Sequence, residues 1–238
     1  MDPRIRDLEG VFALLDELMA PTDGDWWDGF YADRTRRIPF FVDKPDEHLA
    51  EAIAQGVLRP GRALDLGCGP GRNALHLAAA GFRVDAIDLS ATAIAWGRER
   101  ADAAGVDVGW RVADAFTADL PGPYDLVVDS GCFHHLAPHR RLDYLRLLQR
   151  VLVPGGLLCL TCFTTDGGVA VPDVELYRSG RRTGGIGYRA EDLRWIFDGY
   201  AELLLRPMTA QGQDAALFGE PFLWAVLLRR PPIDSDPM

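Results

Sequence analysis

Ala63-Leu64-Asp65-Leu66-Gly67-Cys68-Gly69-Pro70-Gly71-Arg72-Asn73 sets a short apolar run directly before three glycines at alternate positions. A strand that ends in glycines and runs into a helix lets the backbone turn sharply and approach a ligand with no Cβ in the way. The helix that follows, "RNALHLAAAG", ends at Gly81. Outward from there the pattern repeats. "RVDAIDL" is a second strand, and Ser90 caps a helix running to about Ala104, closed by Gly105. "VGWRVAD" and "YDLVVDS" are a third and a fourth strand. Pro138 opens a helix carrying Leu142, Leu145, Leu148 and Leu152, Pro154-Gly155-Gly156 ends it, and "LLCLTCF" is a fifth strand. Strands alternating with helices predict a doubly wound α/β fold, a parallel sheet with helices on both faces and right-handed crossovers.

The flanks are less regular. Apolar residues at three- and four-residue steps predict a helix over Arg4–Met19, ended by Pro21 and Gly24. The next segment is dense in aromatics (Trp26, Trp27, Phe30, Tyr31, Phe40, Phe41) without a clear period, so it reads as an irregular covering segment. A helix over Asp46–Val57 leads to the Pro60-Gly61 turn. After Phe163 a Gly-rich stretch runs to about Tyr188, then a short helix to Phe197. "YAELLLRPM" and "PFLWAVLLRR" close the chain as two more strands, with a frayed tail "PPIDSDPM". We read residues 1–238 as one domain, 1–45 as a lid and 164–190 as a substrate-side loop.

With 238 residues the chain suffices for one large core, and a formal charge of -10 argues against nucleic acid as a partner. The short basic runs Arg34–Arg37 and Arg178–Arg182 do not reverse that sign. No apolar run approaches the roughly 20 residues that span a bilayer. No leader is evident either, so a cytoplasmic protein without membrane contact, monomeric or homodimeric, is expected. Cys68, Cys132, Cys159 and Cys162 read as free thiols. Cys159-x-x-Cys162 lies on a strand, where positions three apart face opposite sides, so no metal or redox motif is assigned.

Ligands of such folds bind beyond the carboxyl ends of the strands, beside the first one. The helix mouth near Arg72 and Asn73 presents free N–H groups there. Asp88, ending the second strand, is placed to accept from both hydroxyls of a ribose. An adenosine-containing cofactor follows. The dinucleotide fingerprint needs a third glycine at position 72, and Arg72 stands there, too bulky for the close helix–strand packing that glycine permits. Asp65, ahead of the glycines, instead suits a ligand bearing an ammonium.

"LDLGCGPGRNALHLA" followed by "AIDLS" resembles the first two motifs of class I S-adenosylmethionine-dependent methyltransferases. "GCGPGRNALHLA" is similar to the tellurite-resistance methyltransferase group, and "DSGCFHHL" with "VLVPGGLLCLTCF" to the thiopurine S-methyltransferase-like group. The resemblance implies a Rossmann-like, seven-stranded, mostly parallel sheet whose last strand is antiparallel. It implies S-adenosyl-L-methionine as cofactor and S-adenosyl-L-homocysteine as product. It places Asp65, Gly67, Cys68, Gly69, Gly71 and Asn73 under the methionine part, and Asp88 on the ribose. It places Leu89, Asp114, Ala115 and Phe116 around the adenine, and Asp129 and Ser130 at the edge of the methyl site. The alternative reading of Asp114 and Asp129 is that they cap turns at strand ends.

A cofactor that carries an activated methyl needs alignment more than a covalent intermediate, so direct in-line transfer to a small-molecule sulfur, selenium, oxygen or nitrogen is expected. His134 and His135 follow the fourth strand and are candidate general bases. Trp27, Tyr31 and Phe40 are candidate walls of the acceptor pocket. No carboxylate stands at ligand spacing from His134, His135 and His139, so no metal is assigned. The rival readings are an NAD(P)-dependent oxidoreductase and a cofactor-binding module without turnover.

Overall fold

The computed structural model describes residues 4–19, 23–180 and 184–232. In chain order the elements are α1 (Leu8–Met19), α2 (Gly24–Ala32), α3 (Glu47–Ala54), β1 (Arg62–Leu66), α4 (Arg72–Ala79), β2 (Arg83–Asp88) and α5 (Ala91–Ala104). There follow β3 (Gly109–Val112), β4 (Tyr124–Ser130), α6 (Arg141–Val151), β5 (Leu152–Phe163), α7 (Asp173–Ser179), α8 (Ala190–Ile196), β6 (Ala201–Pro207) and β7 (Leu223–Arg229). The strands form one sheet in the order β3-β2-β1-β4-β5-β7-β6. The first five are mutually parallel, and β7 runs antiparallel between β5 and β6. The order reverses between β1 and β4, the switch point beside which sheets of this kind bind ligands.

Both faces of the central strands are covered, as their unbroken apolar runs require. One core gathers Leu64, Ile87, Val127, Leu158 and Cys162; the other gathers Ala63, Ala86, Leu126, Val128 and Cys159. Cys159 and Cys162 thus sit on opposite faces of β5. The helix ends follow local chemistry: Ser90 Oγ accepts from Ala93 N at 3.0 Å, and Gly105 closes α5 at φ +67.

Several boundaries differ from expectation. The aromatic segment is not irregular: Gly24–Ala32 is a helix, capped by Asp23, whose Oδ1 accepts from Trp26 N at 2.9 Å. Trp26, Trp27, Phe30 and Tyr31 have helical spacing, blurred because Phe40 and Phe41 come from a separate loop that packs on the same cluster. The stretch 164–190 is not structureless, since it holds α7 and the bridges Thr164–Tyr188 and Val169–Ile186. Pro154-Gly155-Gly156 does not end a helix. It lies inside β5, whose ladder with β4 skips from Leu152 to Leu157. The helix expected from Pro138 opens as a 3₁₀ turn, and α1 starts at Leu8 rather than Arg4. Pro21, Arg181, Arg182 and the tail beyond Pro232 lie outside the described residues. Among the described residues no helix is long and apolar enough to cross a membrane.

Candidate functional site

Gly67, Gly69 and Gly71 all have positive φ (65, 52 and 78°). Each is bare for a neighbour's sake as well. A Cβ on Gly67 would lie 2.7 Å from Cys132 Cβ, one on Gly69 2.8 Å from Tyr31 Oη, and one on Gly71 would run into the Trp110 ring. Cys132 brings the loop after β4 against the turn, and Tyr31 brings α2 down on it. Sequence reasoning gave neither Cys132, read only as a free thiol within "DSGCFHHL", nor Trp110 a place against the turn.

Asp65 ends up buried beneath the turn, and its Oδ2 has no partner. Burial raises its carboxyl to about 7 although the Arg72 charge opposes this. A buried acid with a vacant oxygen fits an ammonium. Asp88 Oδ2 accepts from Gly69 N and Oδ1 from Ser90 N, both at 2.8 Å. A carboxylate offers about four lone-pair sites, so capacity remains for a ribose hydroxyl. Burial raises this acid too. Leu89 beside it is 39% exposed, and Phe116 is half-buried, so both offer apolar surface to an adenine. Ala113 N donates to Asp88 O at 3.0 Å, which holds the segment 113–116 next to the end of β2. These residues fit S-adenosylmethionine: a cation-seeking acid, a hydroxyl acceptor and exposed apolar side chains beside it.

Other candidates are engaged within the protein. Asp114 Oδ1 accepts from Phe116 N at 2.9 Å, and Ala115 is buried in the core. Asp129 is fully buried; its Oδ1 accepts from Cys132 N at 2.8 Å, and burial raises it to about 7. Both acids cap turns. Cys68 is buried, with its thiol raised by that burial. The Asn73 amide is taken up by Asp46: Oδ1 accepts from Asp46 N at 2.9 Å and Nδ2 donates to Asp46 Oδ2 at 3.0 Å.

Asp46 was not singled out by the sequence, yet it anchors a buried polar cluster. Arg72 Nη2 donates to Asp46 Oδ1 and to Ser130 Oγ, each at 2.7 Å, and Nη1 donates to Lys44 O at 3.1 Å. The Arg72 guanidinium lies 4.3 Å over the Phe218 ring, and Thr161 Oγ1 donates to Asp46 Oδ2 at 3.0 Å. Arg72 ties α4 to the end of β4 directly and, through Asp46, to β5.

Helix α2 lies over this floor. Asp28 Oδ1 accepts from Ser90 Oγ at 2.6 Å and from Thr92 N at 2.8 Å, fastening α2 to the start of α5. Trp27 meets His135 edge to face, with ring centroids 5.0 Å apart. Tyr31 reaches Gly69, and Phe40 stacks on Phe30 at 6.1 Å, farther along the aromatic cluster. His134 is buried, stacked on Phe163 at 3.8 Å, with Nδ1 unpartnered; burial holds its imidazole well below the ordinary range. His139 points elsewhere, between Asp16 and Tyr177. Of the candidate bases and walls, the structure brings His135 and Trp27 together.

Residues 63–156 match the family model described as a methyltransferase domain. An uncharacterized methyltransferase of Schizosaccharomyces pombe, C750.03c, is 30% identical over 102 residues, 42% of this chain and 70% of that protein. The probable S-adenosyl-L-methionine-dependent methyltransferase TehB of Haemophilus influenzae is 29% identical over 114 residues, 48% of this chain and 40% of its own. A solved structure from work on the conversion of a disulfide bond into a thioacetal group during echinomycin biosynthesis superposes with a TM-score of 0.69. It is 26% identical, over 89% of this chain and 93% of that one. The chain spans between 38% and 61% of the length of several other curated relatives.

Proposed function

We propose, for a chain that belongs to the class I S-adenosylmethionine-dependent methyltransferases, that it methylates a small, largely apolar molecule through an acidic S–H or O–H group. The observation that carries this is the pairing of Trp27 with His135 where α2 covers the glycine turn. The bound sulfonium supplies the activated methyl. The chain's own residues orient and desolvate. Asp65 and Asp88 fix the two ends of the cofactor, and α2 acts as a lid that excludes water. The walls near the imidazoles, Trp27 and Phe163, are aromatic, so a flat apolar acceptor is favoured over a charged one.

His134 is a poor base, since burial depresses it and Phe163 holds its ring. His135 is half-buried beside Trp27 and is assigned the acceptor's proton. A thiol, already near its pKa at neutral pH, needs that help less than a phenol does. The similarity to a protein from work on thioacetal formation supports sulfur among the accepting atoms.

The experiment is a panel of thiols, phenols and amines with labelled S-adenosylmethionine, run on the wild type and His135→Ala. Loss of transfer to phenols with thiols spared supports the base role. Equal loss on both refutes it, and no transfer to any thiol or phenol refutes the acceptor class.

A further inference from the structure

Asp65 is the acid whose situation the fold leaves incomplete. Asp46 is matched by Arg72, Asn73 and Thr161, while Asp88 and Asp129 are matched by backbone N–H groups. Asp65 has one oxygen buried without a partner. The charged and titratable groups acting on it are Arg72 from α4, Asp46 ahead of α3 and Asp129 from β4, with the Cys68 and Cys159 thiols close by. Arg72 is the cation of this set. Its hydrogen bonds run to Asp46, Ser130 and Lys44 O, so it influences Asp65 through space and leaves the vacant oxygen free.

We propose that Arg72 is a positioning residue for the cofactor's amino-acid end: it tempers the acid Asp65 without occupying it, so that docking of the ammonium expels a proton from Asp65 to solvent. The inference rests on the cofactor reading above. No covalent bond changes; a buried carboxylic acid is exchanged for a carboxylate–ammonium pair. Because the free acid titrates near 7, about half a proton leaves at pH 7 and nearly a whole one at pH 6. Without the Arg72 charge the acid keeps its proton to higher pH.

The test is calorimetric binding of S-adenosylhomocysteine, in paired buffers of different ionisation enthalpy, from pH 5.5 to 9. 5′-Methylthioadenosine, which has the adenosyl and sulfur parts but neither ammonium nor carboxylate, is the control. Expected for the wild type is proton release with S-adenosylhomocysteine. Its affinity should rise about tenfold per pH unit up to about 7 and then level off, against a flat profile for methylthioadenosine. Arg72→Met should move the levelling point to higher pH, with the loss recovered to within about twofold above it, and Arg72→Lys should restore the wild-type profile. Should Arg72→Met unfold, Asp46→Asn/Arg72→Met removes both halves of the pair; because the Asp46 charge that raises Asp65 goes with it, the levelling point should move in the same direction but by less, and a shift to lower pH overturns the proposal. Equal pH slopes for the two ligands overturn the proposal. So does a pH-independent loss of both ligands in Arg72→Met, which would mark Arg72 as purely structural. Failure of the wild type to bind either compound would remove the cofactor assignment itself, and this proposal with it.

Discussion

Adding one methyl group at Gly69 probes whether α2 rests on the glycine turn. The backbone there has φ +52°, which costs a residue with a Cβ about 1–2 kcal/mol. The new carbon would stand 2.8 Å from Tyr31 Oη, 3.4 Å from Cζ and 3.7 Å from Cε1. Only the contact with the oxygen is shorter than packing tolerates. Overfilling a packed site costs about 1–3 kcal/mol. Gly69→Ala alone should therefore destabilise the chain by about 2–5 kcal/mol. Tyr31→Phe removes the offending oxygen and leaves ordinary contacts behind. The double variant should keep only the backbone cost, so the two substitutions couple favourably by about 1–3 kcal/mol. Urea denaturation of the four proteins measures this. A coupling below about 0.5 kcal/mol would mean that the Tyr31 hydroxyl does not touch the turn, and the lid geometry would fall with it.

Other perturbations address separate joints of the site. Asp28→Ala removes both bonds that fasten α2 to α5, a loss of about 1 kcal/mol, and should speed S-adenosylhomocysteine dissociation roughly fivefold in stopped flow; an unchanged rate would show that Asp28 does not hold the lid. Asp129→Asn should reduce, by one acid's share, the pH dependence of stability, leaving that of Asp65 in place. Asp129 is raised in the fold from 3.8 to about 7, so the folded state binds the proton more tightly, and this contribution is present at low pH and lost as pH rises through 7. The wild type should lose about 1.4 kcal/mol between pH 6 and pH 8 through this acid, and the variant should not; parallel denaturation profiles would refute the raised acid.

The central sheet was legible because its signals are local. A strand ending in Leu66, a turn that only glycine tolerates, and a helix that Ser90 caps each depend on a few neighbouring residues. Pro154-Gly155-Gly156 misled for the opposite reason. Those residues break helices wherever they occur, but here β4 pairs on both sides of them and the strand absorbs them as a bulge. Helix α2 was hidden because two aromatic sets, one helical and one from the loop at Phe40–Phe41, overlap in sequence and separate only in space.

The site divides along the same line. Asp65 and Asp88 could be placed from strand ends alone, and they lie at the carboxyl ends of β1 and β2. Asp46 could not, and Tyr31, named as a pocket wall, could not be set against the turn, because what gives each its place is a partner far along the chain: Arg72 at 26 residues for the first, Gly69 for the second. Arg72 shows the consequence most clearly. Read in its own motif it is a missing glycine, an argument only about what the turn excludes. Read against Asp46 and Ser130 it is a buried guanidinium set among carboxylates, and its charge opposes the burial that raises Asp65. A motif scan sees the first property and is blind to the second, since the second depends on which strands the fold sets side by side.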